Sequence, residues 1–119
     1  MRILVVEDDV NLNRQLTDTL KEAGYVVDQA FDGEEGHYLG EGEPYDAVIL
    51  DIGLPEMDGY ELARRLRADP QQQQATFIAL TGYGQAADRV QSQAAGFDHH
   101  FVKPLDMAVL SAMLAALSR

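Results

Sequence analysis

Asp46-Ala47-Val48-Ile49-Leu50-Asp51 is an apolar run that ends on an acid. A short near-continuous run of this kind reads as a strand buried on both faces, which belongs to a parallel sheet rather than to a half-exposed hairpin. The pattern also opens the chain, where Arg2-Ile3-Leu4-Val5-Val6-Glu7 runs into Asp8 and Asp9. It returns in Tyr25-Val26-Val27-Asp28-Gln29-Ala30, in Phe77-Ile78-Ala79-Leu80-Thr81 and, more briefly, in His99-His100-Phe101-Val102.

Helical patterns separate these strands. Between Val10 and Ala23, Leu12, Leu16 and Leu20 recur every four residues and Gly24 supplies a C-terminal stop. Asp32-Gly33 turns into a second segment ending near Gly42. It carries Gly36 and Gly40 in its interior, each costing about 0.5–1 kcal/mol relative to Ala, so local fraying is expected there. After the loop Ile52-Gly53-Leu54-Pro55-Glu56-Met57, Asp58 caps a helix to about Ala68, with Leu62 and Leu66 inward and Pro70 at its end. Gln71 to Gln74 reads as a solvated loop. A fourth helix is expected from Gln85 to Ala95 and a last one from Met107 to Ser118. Five alternations without a repeat or linker predict one α/β domain over residues 1–119, a doubly wound five-stranded parallel sheet flanked by five helices.

The 119 residues carry 9 Lys+Arg against 20 Asp+Glu, a formal net charge of -11, with no cysteine. Such an acidic surface repels phosphate backbones and anionic lipids, so neither nucleic acid nor membrane is an expected direct partner. Thiolate chemistry and disulfides are excluded, and the absence of cysteine fits a reducing, cytoplasmic setting. The apolar run Ile3-Leu4-Val5-Val6 is too short for a signal-peptide core or a membrane span.

In a doubly wound sheet the ligand site lies at the carboxyl ends of the strands. Here those ends carry Glu7-Asp8-Asp9, Asp51, Thr81 and Lys103. Nucleotide and flavin folds place glycines and backbone N–H groups in the first loop to receive phosphate, and this chain places acids there instead. Carboxylates about 4 Å apart repel by roughly 4 kcal/mol per pair at an effective dielectric near 20, so they require a cation or a proton. All-oxygen donors favour Mg²⁺ over zinc. Taken singly, Asp8 or Asp9 reads as a helix cap, Asp51 as a strand end, Thr81 as a turn hydroxyl and Lys103 as a surface lysine. Their joint placement on one sheet edge points to phosphoryl transfer to a carboxylate.

These residues resemble the receiver domain of two-component response regulators along the whole chain. The resemblance rests on Val6-Glu7-Asp8-Asp9, on Leu50-Asp51-Ile52-Gly53-Leu54-Pro55 with Met57-Asp58-Gly59, on Ala79-Leu80-Thr81-Gly82 and on Val102-Lys103-Pro104. It implies a flavodoxin-like sheet of order 2-1-3-4-5, and Asp51 as acceptor of a phosphoryl group from a sensor histidine kinase or phosphotransfer domain. It also implies Mg²⁺ held by Asp9, Asp51 and the carbonyl of Gly53, with Asp8 acting directly or through water. Lys103 and Thr81 would contact phosphoryl oxygens, Thr81 and His100 would form the switch, and Lys103-Pro104 would be cis. Gly53 and Tyr83 occupy positions that in this family tune dephosphorylation, and Tyr83 reads equally well as a solvent-facing aromatic.

Two departures stand out. His100 occupies the place of the usual switch Tyr or Phe, and the last helix lacks the charges with which receivers pair symmetrically, so a monomer or weak dimer is expected. His99 and His100 point to opposite faces of a strand and form no compact metal site. The first sixty residues resemble receivers of DNA-binding regulators, whereas Ile78 to Gly84 and Ala95 to His100 resemble those of hybrid histidine kinases. This makes a recombined, designed or excised receiver one reading. The competing functions are a phosphorylation-independent or degenerate scaffold and a small aspartyl-phosphate phosphatase. The latter would show a second acid two residues after its nucleophile, where this chain has Gly53.

Overall fold

The computed structural model describes residues 1–82 and 93–117. Five strands, β1 (Arg2–Val6), β2 (Val26–Ala30), β3 (Ala47–Asp51), β4 (Thr76–Thr81) and β5 (His99–Val102), alternate with α1 (Val10–Glu22), α2 (Gly33–Gly42), α3 (Gly59–Ala68) and the C-terminal helix (Met107–Leu117). A 3₁₀ turn spans Pro70–Gln72. The sheet is wholly parallel with order β2-β1-β3-β4-β5. The helix expected over Gln85 to Ala95 lies outside the described residues except at residues 93–95, which are helical. Tyr83 and Ser118 also lie outside them.

Successive residues of a strand point to opposite faces, and both faces of this sheet are covered. Leu4, Val6, Val48, Leu50, Phe77 and Ala79 pack with Leu62 and Leu66 of α3 on one side. Ile3, Val5, Ile49, Ile78 and Leu80 pack with Leu16 and Leu20 of α1 and with Leu110 and Leu114 of the C-terminal helix on the other. This explains the unbroken apolar strands, since an alternating pattern would leave polar groups under one layer of helices.

Helix ends follow side-chain chemistry. The Asp58 carboxylate accepts from the Glu61 N–H, capping α3, and Asp32 caps α2 by accepting from Glu35. Gly24, at φ +94°, closes α1 in a conformation that only glycine adopts without strain.

Two segments differ from what their composition suggests. The two interior glycines do not interrupt α2: the helix runs unbroken over Gly33–Gly42, and Gly36 lies buried where a Cβ would come within 3.0 Å of Leu62 Cδ2 and Val6 Cγ2. The missing side chain is what lets α2 approach α3 and β1 closely. The glutamine tract is not wholly solvated either. Gln72 is fully buried, its Oε1 accepting from the Tyr45 N–H at 3.0 Å and its Nε2 donating to the carbonyls of Gly40 at 2.6 Å and Glu43 at 2.5 Å. One amide thereby ties the end of α2 to the start of β3.

Candidate functional site

Strands β1, β3, β4 and β5 all run toward one edge, and their last residues converge there. β1 ends at Val6, so Glu7 and Asp8 are the first residues beyond it. Asp51 is the last residue of β3, Thr81 the last of β4, and Lys103 follows β5 directly. Below them Gly59 opens α3, and a Cβ there would sit 2.5 Å from the Asp51 carbonyl oxygen, so only glycine lets this helix start so close beneath β3.

The centre of the site is Asp51, whose side chain is almost completely buried. Its Oδ1 accepts from the Gly53 N–H at 2.8 Å, and its Oδ2 lies 3.1 Å from Lys103 Nζ. The same ammonium donates to Glu7 Oε1. Glu7, Asp8 and Asp51 each offer a carboxylate oxygen within 4.8 Å of the other two. Glu7 is fully buried, and its second oxygen, Oε2, has no hydrogen-bond partner. An orphaned buried oxygen among hard, closely spaced carboxylates suits a small divalent cation, whose charge would offset both the repulsion and the lost hydration.

The acids share their protons unequally. Burial pushes the Glu7 carboxyl up to about 8, and neighbouring Asp51 pushes it the same way against the opposing pull of Lys103. Asp8 is raised by burial and by the charge of Asp51. Burial alone would raise Asp51 too, but the neighbouring Glu7 carboxyl, the Gly53 N–H and Lys103 together bring it below the ordinary carboxylate value. Burial works to lower Lys103, and Glu7 and Asp51 outweigh it, so its pKa is raised. The result near neutrality is an ionised, oriented Asp51 beside a Glu7 that retains a proton.

Of the residues singled out in the sequence, Asp8, Asp51 and Lys103 are brought together and Asp9 is not. Asp9 Oδ1 accepts from the N–H groups of Asn11 at 3.0 Å and Leu12 at 3.2 Å, the position of an N-cap on α1. Its place in the carboxylate cluster belongs to Glu7. A signal for this was present: the acid immediately before a helical pattern is a cap, as at Asp58, and Asp9 immediately precedes Val10. Gly53 contributes its N–H to Asp51, and the Lys103-Pro104 peptide is cis, as expected. Thr81 is fully buried, and its hydroxyl donates to the Phe101 carbonyl at 3.4 Å. His100, half-buried on β5, faces the Phe97 ring at a centroid separation of 6.1 Å. Phe97 in turn meets Tyr60 and Phe77 edge-on.

Comparison with known proteins shows the family and the fold. Residues 3–115 match the family described as the response regulator receiver domain. The chain is 40% identical over all its 119 residues to a probable transcriptional regulatory protein, SilR, of Salmonella typhimurium, and covers 51% of that protein. It thus spans about half the length of this relative. Among solved structures, the chemotaxis response regulator CheY4 of Vibrio cholerae superposes with a TM-score of 0.89 at 27% identity, covering 98% of this chain and 97% of that one. The receiver domain of the sensor histidine kinase PA1611 of Pseudomonas aeruginosa gives a TM-score of 0.85 at 32% identity, covering 99% and 98%, and holds a magnesium ion coordinated in its active-site cleft. Both kinds of relative align along nearly the whole chain, not one to each half.

Proposed function

This chain belongs to the response regulator receiver family, and from that premise we propose that it is a phosphoacceptor switch in which Asp51 takes a phosphoryl group from a phosphohistidine of a sensor histidine kinase or phosphotransfer domain. The observation that carries this reading is the setting of Asp51: oriented by the Gly53 N–H and held between Lys103 and the acids Glu7 and Asp8, contacts that keep its carboxyl below the ordinary value. In the transfer, a carboxylate oxygen of Asp51 forms the bond to phosphorus as the bond from phosphorus to the donor nitrogen breaks, leaving an acyl phosphate on the protein. Lys103 is placed to pair with a phosphoryl oxygen, and Thr81 can turn its hydroxyl from Phe101 toward another. A contact made only in the phosphorylated state supplies the differential free energy a switch needs.

Glu7, Asp8 and Asp51, with the Gly53 carbonyl, are the groups that would hold Mg²⁺. When bound, the ion neutralises charge on the transferring phosphoryl group. The phosphatase reading is disfavoured because position 53, where a general acid–base carboxylate would stand, presents a glycine whose N–H serves Asp51. Among the described residues no helix is long and apolar enough to cross a membrane.

The test is the intact mass of the protein after incubation with acetyl phosphate, with and without Mg²⁺, for the wild type and Asp51→Asn. One Mg²⁺-dependent phosphoryl adduct, lost in the variant, is the expected result. A folded wild type that gains no adduct would reduce the chain to a scaffold.

A further inference from the structure

We propose that Asn13 is a positioning residue for the acidic pair Glu7-Asp8, acting through the Glu7 backbone to set how tightly the site holds its divalent cation. Asn13 lies in the first turn of α1 and is fully buried. Its Nδ2 donates to the carbonyls of Glu7 at 3.0 Å and Ala30 at 2.9 Å, and its Oδ1 accepts from Gln29 Nε2 at 2.9 Å and Thr17 Oγ1 at 3.3 Å. The amide orientation is dictated by chemistry, because two backbone carbonyls can only accept and the Gln29 amide nitrogen can only donate. Both donors and both acceptor positions of Asn13 are thereby used.

The location of these bonds is what gives them functional weight. The β1 ladder with β2 and β3 ends at Val6, and the chain must then present Glu7 and Asp8 to the site before α1 begins at Val10. Glu7 is held at both backbone groups, its N–H donating to the Ala30 carbonyl at 3.1 Å and its carbonyl accepting from Asn13. Asn13 also donates its own backbone N–H to the Asp9 carbonyl at 2.9 Å. The Asn13 side chain therefore grips the start of the acidic segment while the first backbone bond of α1 fixes its end, with Asp8 suspended between them. A polar group bridging two strand ends behind a set of carboxylates fixes their directions, and groups that orient metal-binding side chains in this way typically change metal affinity 10- to 100-fold when removed.

This inference rests on the proposed Mg²⁺ site, and the experiment separates the two. The half-saturating Mg²⁺ concentration would be measured for wild type, Asn13→Ala, Gln29→Met and Gln72→Leu both from the Mg²⁺-dependent rise in melting temperature without a phosphoryl donor and from phosphorylation by acetyl phosphate, read by intact mass well below the melting temperature of each. Asn13→Ala is expected to raise that concentration about tenfold while the rate at saturating Mg²⁺ stays within about twofold of wild type. Gln29→Met, which frees the Asn13 amide without touching Glu7, should shift it in the same direction by less, and it carries the test if Asn13→Ala does not fold. Gln72→Leu removes a buried amide at the far end of the sheet and should leave the half-saturating concentration unchanged. Wild-type half-saturation in both Asn13→Ala and Gln29→Met, or an equal shift in Gln72→Leu, would overturn the assignment. A wild type in which neither readout responds to Mg²⁺ would remove the metal site itself, and the role of Asn13 with it.

Discussion

Lys103 Nζ stands 3.1 Å from Asp51 Oδ2 while also donating to Glu7, so a single ammonium bridges two of the three acids in the site. An ammonium has three N–H donors, so Lys103 can meet a phosphoryl oxygen on Asp51 as its contacts with the two acids rearrange. Lys103 is thus the counter-ion of both acids at rest and, in the proposed switch, the group that turns to the phosphoryl oxygen.

Replacing it separates those roles. Lys103→Ala should still accept a phosphoryl group on Asp51, because the nucleophile and the acids remain. It should lack the long-range response, so that backbone amide shifts on phosphorylation stay confined to the loop after β3 and do not reach Thr81 and β5. The variant should lose about 1.5–3 kcal/mol of stability in chemical denaturation, the usual range for a hydrogen bond to a charged group. Wild-type shift changes in the variant would remove Lys103 from the switch.

Asp51→Asn acts on the crowding of the acids. Three carboxylates face one lysine, and removing one negative charge relieves repulsion that the metal-free protein must otherwise absorb by holding a proton. In the presence of a chelator the variant should melt higher than wild type, by about 4 °C or more if the relief is about 1 kcal/mol. The order should narrow or reverse at saturating Mg²⁺, which stabilises only a native state able to bind it. Calorimetry of both proteins with and without the ion decides this.

Glu7 sets the pH dependence. Its carboxyl titrates at about 8 in the folded protein against an ordinary 4.5, so between those values the native state binds more protons than the unfolded chain and stability falls as pH rises. Asp8, also raised, acts with the same sign. Asp51 is lowered from 3.8 and Lys103 raised from 10.5, so their windows lie outside this one. Metal-free protein should lose melting temperature steadily from pH 5 to pH 8, and Glu7→Gln, which cannot ionise, should flatten that slope. Because Mg²⁺ must displace the proton, its apparent affinity should rise across the same interval.

The strands, the capping of α3 and the placement of Asp51 and Lys103 were legible because each follows from a local signal: a continuous apolar run, an Asp before a helical period, an acid or a lysine at a strand end; the strand order has no such signal and followed from the family resemblance alone. Glu7 and Asp9 were harder, since three consecutive acids differ only in where β1 stops and α1 starts, and a shift of one residue exchanges a site carboxylate for a cap. The two positions can be told apart directly. Asp9→Ala should cost about 1 kcal/mol of stability through loss of its N-cap and keep the stabilisation by Mg²⁺, whereas Asp8→Ala should lose that stabilisation.

Gln72 shows what pattern alone cannot reach. Within four consecutive glutamines nothing local marks one as buried, because its partners, Gly40, Glu43 and Tyr45, come from α2 and the approach to β3 some thirty residues earlier. The burial is a consequence of tertiary structure, of Pro70 starting a 3₁₀ turn beneath the end of α2. Gln72→Leu would keep the volume but leave one N–H and two carbonyls without their partner. At about 1–3 kcal/mol for an unsatisfied buried group, partly relieved by the exposure of neighbouring backbone, a loss of about 3 kcal/mol is expected in urea denaturation. Gln71→Ala and Gln73→Ala, whose side chains hold no such set of buried backbone groups, should each stay within about 1 kcal/mol of wild type. All three should retain the Mg²⁺ dependence of phosphorylation, because the amide they test lies at the opposite end of the sheet from Asp51. Equal stability across the three would mean that the glutamine tract is the solvated loop its composition suggests.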